Sequence, residues 1–319
     1  MPLMRSNIFI TSLLSLVLVG CGGGGGQEAA QSPGKLSFVA GALDVNAPAS
    51  FGTAVGAAAD ARFRDLGGIA VDGAGSVYVA DTGNHAIRRI AGGQVTTLAG
   101  AGVPSGSGAS DGKPGLFSYP AGLDIDTEGN LYVTDGFSNV PFNVNWNWTS
   151  VRKVTADGVV STFPLSANNF PNSVDGPAIA VVPAGGVLLN LNNVIRRVKP
   201  DGAVVNVTAP EAGRVISSLA VDKAGVVYFG YRNTIRKIVP GQPELVLAGS
   251  ATAGVEDGRG DQAHFDFETY PYLQNGFRLR TSMVVDSTGN LYVADSNNYL
   301  VRKVAPDGTV TTEIGRAHV

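Results

Sequence analysis

The chain has 319 residues, 44% of them hydrophobic and 43 of them glycine, enough to bury one large all-β domain or two ordinary ones. Its formal charge is −3 and it contains no long basic run. That sets aside nucleic acid as a partner, because clustered Lys and Arg carry the affinity for a phosphate backbone.

In chain order, Arg5 comes first and is followed by an apolar run from Ile8 to Val19. The run is too short to cross a bilayer as a helix, which takes ~20 residues, but its length and cationic flank suit the core of an export signal. Leu18-Val19-Gly20-Cys21 resembles the bacterial lipobox. The resemblance implies removal of residues 1–20 as a signal peptide and lipidation of Cys21 on its thiol and new amino group. Cys21 is the single cysteine, so no internal disulfide is expected despite the oxidising compartment that export implies. Residues 21–34, rich in Gly and Gln, read as a flexible tether between lipid and domain. Gly22, rather than an aspartate, follows the cysteine. By analogy with lipoprotein sorting in Gram-negative bacteria, this implies the outer membrane of the cell envelope, with the membrane a partner through the anchor.

From Lys35 onward one pattern recurs. It is seen in GGIAVDGAGSVYVADTGNHAIRRIAGGQVTTLAG from Gly67, AGLDIDTEGNLYVTDG from Ala121 with VRKVTADGVVSTF from Val151, and AIAVVPAGGVLLNLNNVIRRVKPDGAVVNVT from Ala178. It returns in SLAVDKAGVVYFGYRNTIRKIVPGQPELVLAG from Ser218 and SMVVDSTGNLYVADSNNYLVRKVAPDGTVTT from Ser282. Each unit holds short β-branched and aromatic runs separated by Asp-Gly, Ala-Gly or Gly-Asn turn signals, the mark of consecutive hairpins. Units of four short antiparallel strands, repeated, predict an all-β fold, a β-propeller of four-stranded blades. The pattern AVD-x-x-G-x-x-YVAD-x-x-N-x-x-IR[RK][IV] resembles the NHL repeat. The resemblance is strong in the first, second and fifth units. It is weaker in the third and fourth, where VVP once replaces AVD and both lack the YVAD aspartate. NHL repeats form propellers, most often six-bladed, and include both enzymes and binding modules, so the resemblance leaves function open.

Five units are visible, yet KLSFVAG at Lys35–Gly41 resembles a sixth fourth strand. The final EIGRAHV departs from the expected Leu-Ala-Gly and resembles a translated sequencing adapter. The expectation is a propeller over 35–312 with a non-native tail at 313–319, truncated from six blades. A native five-bladed ring with a ragged end is the alternative.

A four-stranded meander places the first-to-second and third-to-fourth turns on one face of the disc. Here these are uniformly short. The second-to-third loops and the connectors between units lie on the other face and carry nearly all the length variation: 41–67, 99–121, 248–282 and the insertion PFNVNWNWTS at Pro141–Ser150. Long loops on a rigid scaffold are where binding resides. In the insertion, Phe142, Trp146 and Trp148 offer stacking faces while Asn143, Asn145 and Asn147 offer donors and acceptors, a mixture suited to a sugar ring or a protein edge. The competing reading folds these aromatics down over the neighbouring blades.

Catalytic constellations are sparse. His85 and His264 fall short of the several convergent ligands of a zinc site. Asp124 is the one carboxylate at an innermost-strand position filled elsewhere by Ala70, Ala180, Ala220 and Val284. It either reaches the channel, where gluconolactonase-like propellers hold a divalent cation with oxygen and amide ligands, or pairs with a neighbouring blade. The connector VEDGRGDQAHFDFE carries Asp257 and Asp261, and Ca²⁺ is the cation its oxygens would suit, though its spacing is not that of an EF-hand. Otherwise no cofactor, resident metal or catalytic residue is expected. The five cationic pairs, Arg88-Arg89, Arg152-Lys153, Arg196-Arg197, Arg236-Lys237 and Arg302-Lys303, point to opposite faces of their strands and make no single patch. Asp81, Asp135 and Asp295 are placed to pair with the first Arg of three of them. No nucleophile elbow, Walker loop or dinucleotide fingerprint occurs. The expected function is non-catalytic recognition of a protein or cell-envelope polysaccharide. The alternative is a cation-dependent lactonase- or lyase-like enzyme at the channel.

Overall fold

The computed structural model describes residues 39–41, 52–136, 150–164, 178–191, 194–209, 211, 216–267 and 282–314. A short strand β1 (Gly56–Ala57) precedes a first blade of β2 (Leu66–Val71), β3 (Val77–Asp81), β4 (Ala86–Ala91) and β5 (Gln94–Gly100). The second blade is β6 (Leu123–Ile125), β7 (Leu131–Asp135), β8 (Ser150–Val154) and β9 (Val160–Thr162). The third is β10 (Ile179–Val181), β11 (Val187–Leu191), β12 (Val194–Val198) and β13 (Val204–Asn206). The fourth is β14 (Ile216–Val221), β15 (Val227–Tyr231), β16 (Thr234–Ile238) and β17 (Leu245–Gly249). A two-residue β18 (Gly258–Arg259) leads to the fifth: β19 (Met283–Val285), β20 (Leu291–Asp295), β21 (Leu300–Val304) and β22 (Thr309–Ile314). Every blade is an antiparallel meander, and the inner strands touch in the succession β2, β6, β10, β14, β19.

Local chemistry explains the repeat. In AVD the aspartate closes the first hairpin: Asp72 Oδ1 accepts from the Ala74 and Ser76 amides, and Asp126, Asp222 and Asp286 do the same two and four residues on. The third blade has Val182 in that place, and its turn closes through backbone alone, Val182 N donating to Gly186 O at 3.0 Å. Gly158 and Gly308 close third-to-fourth turns at φ 86°, and a Cβ at either would collide with the carbonyl of Leu98 or Leu247 on the preceding blade.

Period-2 alternation divides each blade into two apolar faces, and the facing sides of successive blades pack together. Tyr78, Ala80 and Ile87 of the first blade meet Leu123, Leu131 and Val133 of the second. Tyr132 and Val151 meet Val187 and Leu189; Leu188 and Ile195 meet Val227 and Phe229; Tyr228 and Ile235 meet Leu291 and Val293. The remaining face of the first blade, Val77, Val79, Ile90 and Val95, is covered by Ala40, Ala61 and Phe63. Among the described residues no apolar cluster joins the fifth blade to the first, and Val284 on the fifth blade is 47% exposed.

Two details concern the ends of the repeat. Of KLSFVAG, only Val39–Gly41 lie among the described residues, and they form no strand; Gly41 N donates to Ala58 O at 2.9 Å, tying this piece to the entry segment. Strand β22 continues through Glu313 and Ile314, with Ile314 opposite Val301.

Candidate functional site: the connector face and its arginine clasps

The face bearing the connectors is organised by a buried unit that recurs in three blades. The last residue of the second strand is Asp81, Asp135 or Asp295, and the first arginine of the third strand is Arg88, Arg152 or Arg302; all six are at most 1% exposed. Arg88 Nε donates to Asp81 at 2.8 Å, Arg152 Nη1 to Asp135 at 3.4 Å and Arg302 Nη1 to Asp295 at 3.2 Å. A buried charge requires a partner and further hydrogen bonds, and the connector ahead of each blade supplies them. The other carboxylate oxygen accepts connector amides: Arg64 N on Asp81, Ser118 N and Tyr119 N on Asp135, Asp266 N on Asp295. The guanidinium grips connector carbonyls, Arg152 those of Ser110 and Leu116, Arg302 those of Glu256 and His264. Phe117 and Phe265, both fully buried, lie under the same two guanidinium groups at 5.7 and 5.2 Å. Desolvation pushes the Asp135 and Asp295 carboxyls above their usual value, opposed by these amides and by the arginines.

A fourth-strand threonine and a connector aspartate complete the clasp. Arg152 Nη2 donates to Asp111 at 2.7 Å and Arg302 Nη2 to Asp257 at 2.8 Å. Thr162 Oγ1 donates to Asp111, and both Thr312 N and Thr312 Oγ1 donate to Asp257. In the first blade Thr97 accepts from Arg88. Asp257, a cation candidate by sequence, thus has both oxygens engaged within the protein. Asp261 is exposed in a single helical turn, Gly260–Gln262. The two do not converge with other ligands; among the described residues no group of three His, Cys, Asp or Glu is placed to hold a metal.

Asp124 sits on β6 and turns to the third blade. Its Oδ2 accepts from Val181 N at 2.6 Å and its Oδ1 from Ile125 N at 2.8 Å. Of the two alternatives in the sequence, the contact is with the neighbouring blade. The side chain keeps partial exposure, yet burial pushes its pKa up to about 6 against those two amides. His85 is buried, its Nε2 3.0 Å from Pro104 O and its ring edge-on to Tyr119. His264 Nδ1 lies 3.2 Å from Glu256 Oε2, without hydrogen-bond alignment. The second cations of the pairs turn to the opposite side of their strands: Arg89 donates to Ser76 Oγ and Arg197 to the carbonyls of Ala184 and Gly185. Cys21 and the insertion residues Phe142, Asn143, Asn145, Trp146, Asn147 and Trp148 lie outside the described residues.

The third and fourth blades depart from this plan. Leu191 and Tyr231 stand where the aspartates stand elsewhere. Arg196 donates to Asn206, and Arg236 lies 4.7 Å from the Tyr231 ring with Nη1 2.5 Å from Glu244. Asn190 on β11, fully buried, has neither amide atom hydrogen-bonded among the described residues. Sequence reasoning passed over Asn190 because it falls in an otherwise apolar strand, VLLNL.

Comparison with known proteins agrees with this architecture. Residues 63–90, spanning the first clasp, match the NHL repeat model. No curated protein sequence matches the chain. Among solved structures, a structural genomics protein of unknown function from Bacteroides thetaiotaomicron VPI-5482 is similar at TM-score 0.61 and 20% identity, over 84% of this chain and 62% of that one. An auxiliary nutrient binding protein from Bacteroides ovatus ATCC 8483 is similar at TM-score 0.60 and 15% identity, over 87% and 63%. A streptogramin B lyase is similar at TM-score 0.50 and 14% identity, over 81% and 86%. The chain therefore covers less than two thirds of the first two of these proteins. At such identities the likeness concerns the fold alone. Five meander blades, the repeated Asp-closed hairpins and the matched segment lead to one conclusion: the chain is a β-propeller that carries an NHL repeat.

Proposed function

We propose that this propeller is an exported, lipid-anchored binding module. It recognises a protein or cell-envelope polysaccharide through the face that carries the long connectors and the 141–150 insertion. The observation that carries the reading is the set of clasps, which tie the 52–66, 110–119 and 256–267 segments to rigid blades by buried charge. Loops held in this way present a preformed surface and lose little conformational freedom on binding. The oxygens of Asp124 and Asp257 are committed to backbone amides, threonine and arginine, which favours binding over cation-assisted hydrolysis or elimination. The Leu18–Cys21 motif supports anchoring at Cys21 in the envelope, at the outer membrane.

Both tryptophans of the chain, Trp146 and Trp148, lie in the proposed contact loop and so report on it directly. Titrating the protein with purified Gram-negative envelope polysaccharide should change its tryptophan emission saturably, and Trp146→Ala with Trp148→Ala should abolish binding measured calorimetrically. Calcium-dependent turnover of a lactone, with no saturable emission change for polysaccharide or envelope-protein extracts, would replace this reading with the enzymatic one. For the anchor, Cys21→Ser should remove palmitate labelling and shift the protein from the membrane to the soluble fraction.

A further inference from the structure

The arginines of the described residues are committed: each donates a hydrogen bond or faces a carboxylate, with the exception of Arg232. The exposed Arg232 guanidinium lies over the ring of Tyr231, 5.4 Å from its centroid. Tyr231 is buried and its Oη donates to Glu211 at 2.9 Å, so the platform under the guanidinium is held in place. No described carboxylate pairs with Arg232; the neighbouring Glu244 pairs with Arg236.

The backbone under this side chain is strained. Tyr231 pairs with Thr234, so Arg232 and Asn233 form the two-residue loop of the hairpin between β15 and β16. Arg232 holds φ 51°, and glycine is the residue that takes a positive φ in such a loop without a steric penalty. His85 also has a positive φ, 54°, but its ring is buried against Pro104 O and Tyr119. Arg232 has no such burial to hold it. Strained positions of this kind cluster at ligand clamps and other functional sites. The loop itself is fixed, since the buried Asn233 accepts from Phe267 N of the fifth-blade connector at 3.0 Å.

Second-to-third loops lie on the connector face, so Arg232 shares that face with the 141–150 insertion, the second-to-third loop of the second blade. A guanidinium presents a planar fork of donors that matches a carboxylate or a phosphate with two hydrogen bonds at once. Stacked on Tyr231, the fork loses little rotamer freedom when such a group arrives. A repeating polymer carries its anionic group once per unit, so a single fixed guanidinium can meet it in any register.

We propose that the polysaccharide recognised by the connector face is acidic, and that Arg232 receives its anionic group, a uronate carboxylate or a sugar phosphate, as a bidentate pair. This rests on connector-face recognition as proposed above and gives the ligand its chemical class.

The test titrates the full chain at low salt, by calorimetry, with polygalacturonate, with phosphomannan and with neutral dextran. At least one acidic polymer should bind saturably and dextran should not. Binding of polygalacturonate alone identifies carboxylate as the group, and binding of phosphomannan alone identifies phosphate. Arg232→Gly should weaken binding at least about tenfold, the loss of one charge-assisted pair, with a urea midpoint at or above that of the wild type. Arg232→Lys, which keeps the charge but not the fork, should fall between the two. Dextran binding as well as the acidic polymers, or acidic binding indifferent to Arg232→Gly, overturns the proposal. Connector-face recognition then still stands, because tryptophan emission reports it separately. Failure of both acidic polymers overturns the proposal too, and a poly-glutamate peptide that binds through Arg232 in their place makes the occupant a protein. A urea midpoint for Arg232→Gly below the wild type shows that the side chain serves the fold, and likewise overturns it.

Discussion

The second and fourth blades are built from the same four-strand template but are finished in different ways. In the second, the arginine of the third strand is buried, pairs with Asp135 of its own blade and holds the connector through two carbonyls and the Asp111 carboxylate. In the fourth, the equivalent Arg236 is 26% exposed, stacks on Tyr231 and pairs with Glu244 of its own blade. With tyrosine in place of aspartate at the end of the second strand, the arginine turns to partners within its own blade. The connector ahead of the fourth blade runs over 207–215 only, and no described segment pairs with the outer edge of β17.

The contrast can be broken most directly at the buried pairs. Asp135→Ala should cost about 3–5 kcal/mol in urea denaturation, because it strands the Arg152 guanidinium in the interior. A loss below about 1 kcal/mol would mean that the clasp is no more than a surface ion pair. The next effect concerns pH. Burial raises the Asp124 carboxyl from 3.8 to about 6, so its protonated form is the one the fold prefers. The associated stability is fully present below the unfolded value and lost as pH climbs through the folded value. Relative to Asp124→Asn, the wild type should therefore lose on the order of 2 kcal/mol between acid and neutral pH. Parallel stability curves for the two proteins would remove Asp124 from the account.

Smaller effects sharpen the comparison. Thr162→Val removes the donor to the half-exposed Asp111 and should cost about 1 kcal/mol. The reciprocal Val246→Thr should be close to neutral, since Glu211, the connector carboxylate of the fourth blade, accepts from Tyr231 Oη. Arg236→Ala should cost about 1 kcal/mol or less, the ordinary value for a partly exposed pair. If Arg236→Ala proved as damaging as Asp135→Ala, the two blades would not differ in kind.

Much of this was legible before any coordinates. Alternating apolar residues, Asp-Gly turns and a fixed unit length set the meander, and Asp81, Asp135 and Asp295 could be matched to their arginines because both lie on adjacent strands of one hairpin. The short strands β1 and β18 were not legible. Two residues beginning with glycine, as in Gly56-Ala57 or Gly258-Arg259, carry no apolar alternation and read as loop. Asp257 likewise could be named only as a candidate cation ligand, because its neighbours in sequence are acidic while its partners, Arg302 and Thr312, lie 45 and 55 residues away. For Asp124 the sequence could name the anomaly but not its direction; the Val181 amide that claims it belongs to the next blade.

Among the described residues no apolar cluster joins the fifth blade to the first, and this bears on how the molecule comes apart. A closed ring has no first element to lose, whereas an array bonded only to nearest neighbours has two free ends and frays from them. Amide exchange should then be graded along the arc. Protection should be deepest in the second and third blades and fall toward the outlying sheets, with the Val284 side of the fifth blade opening well before global unfolding.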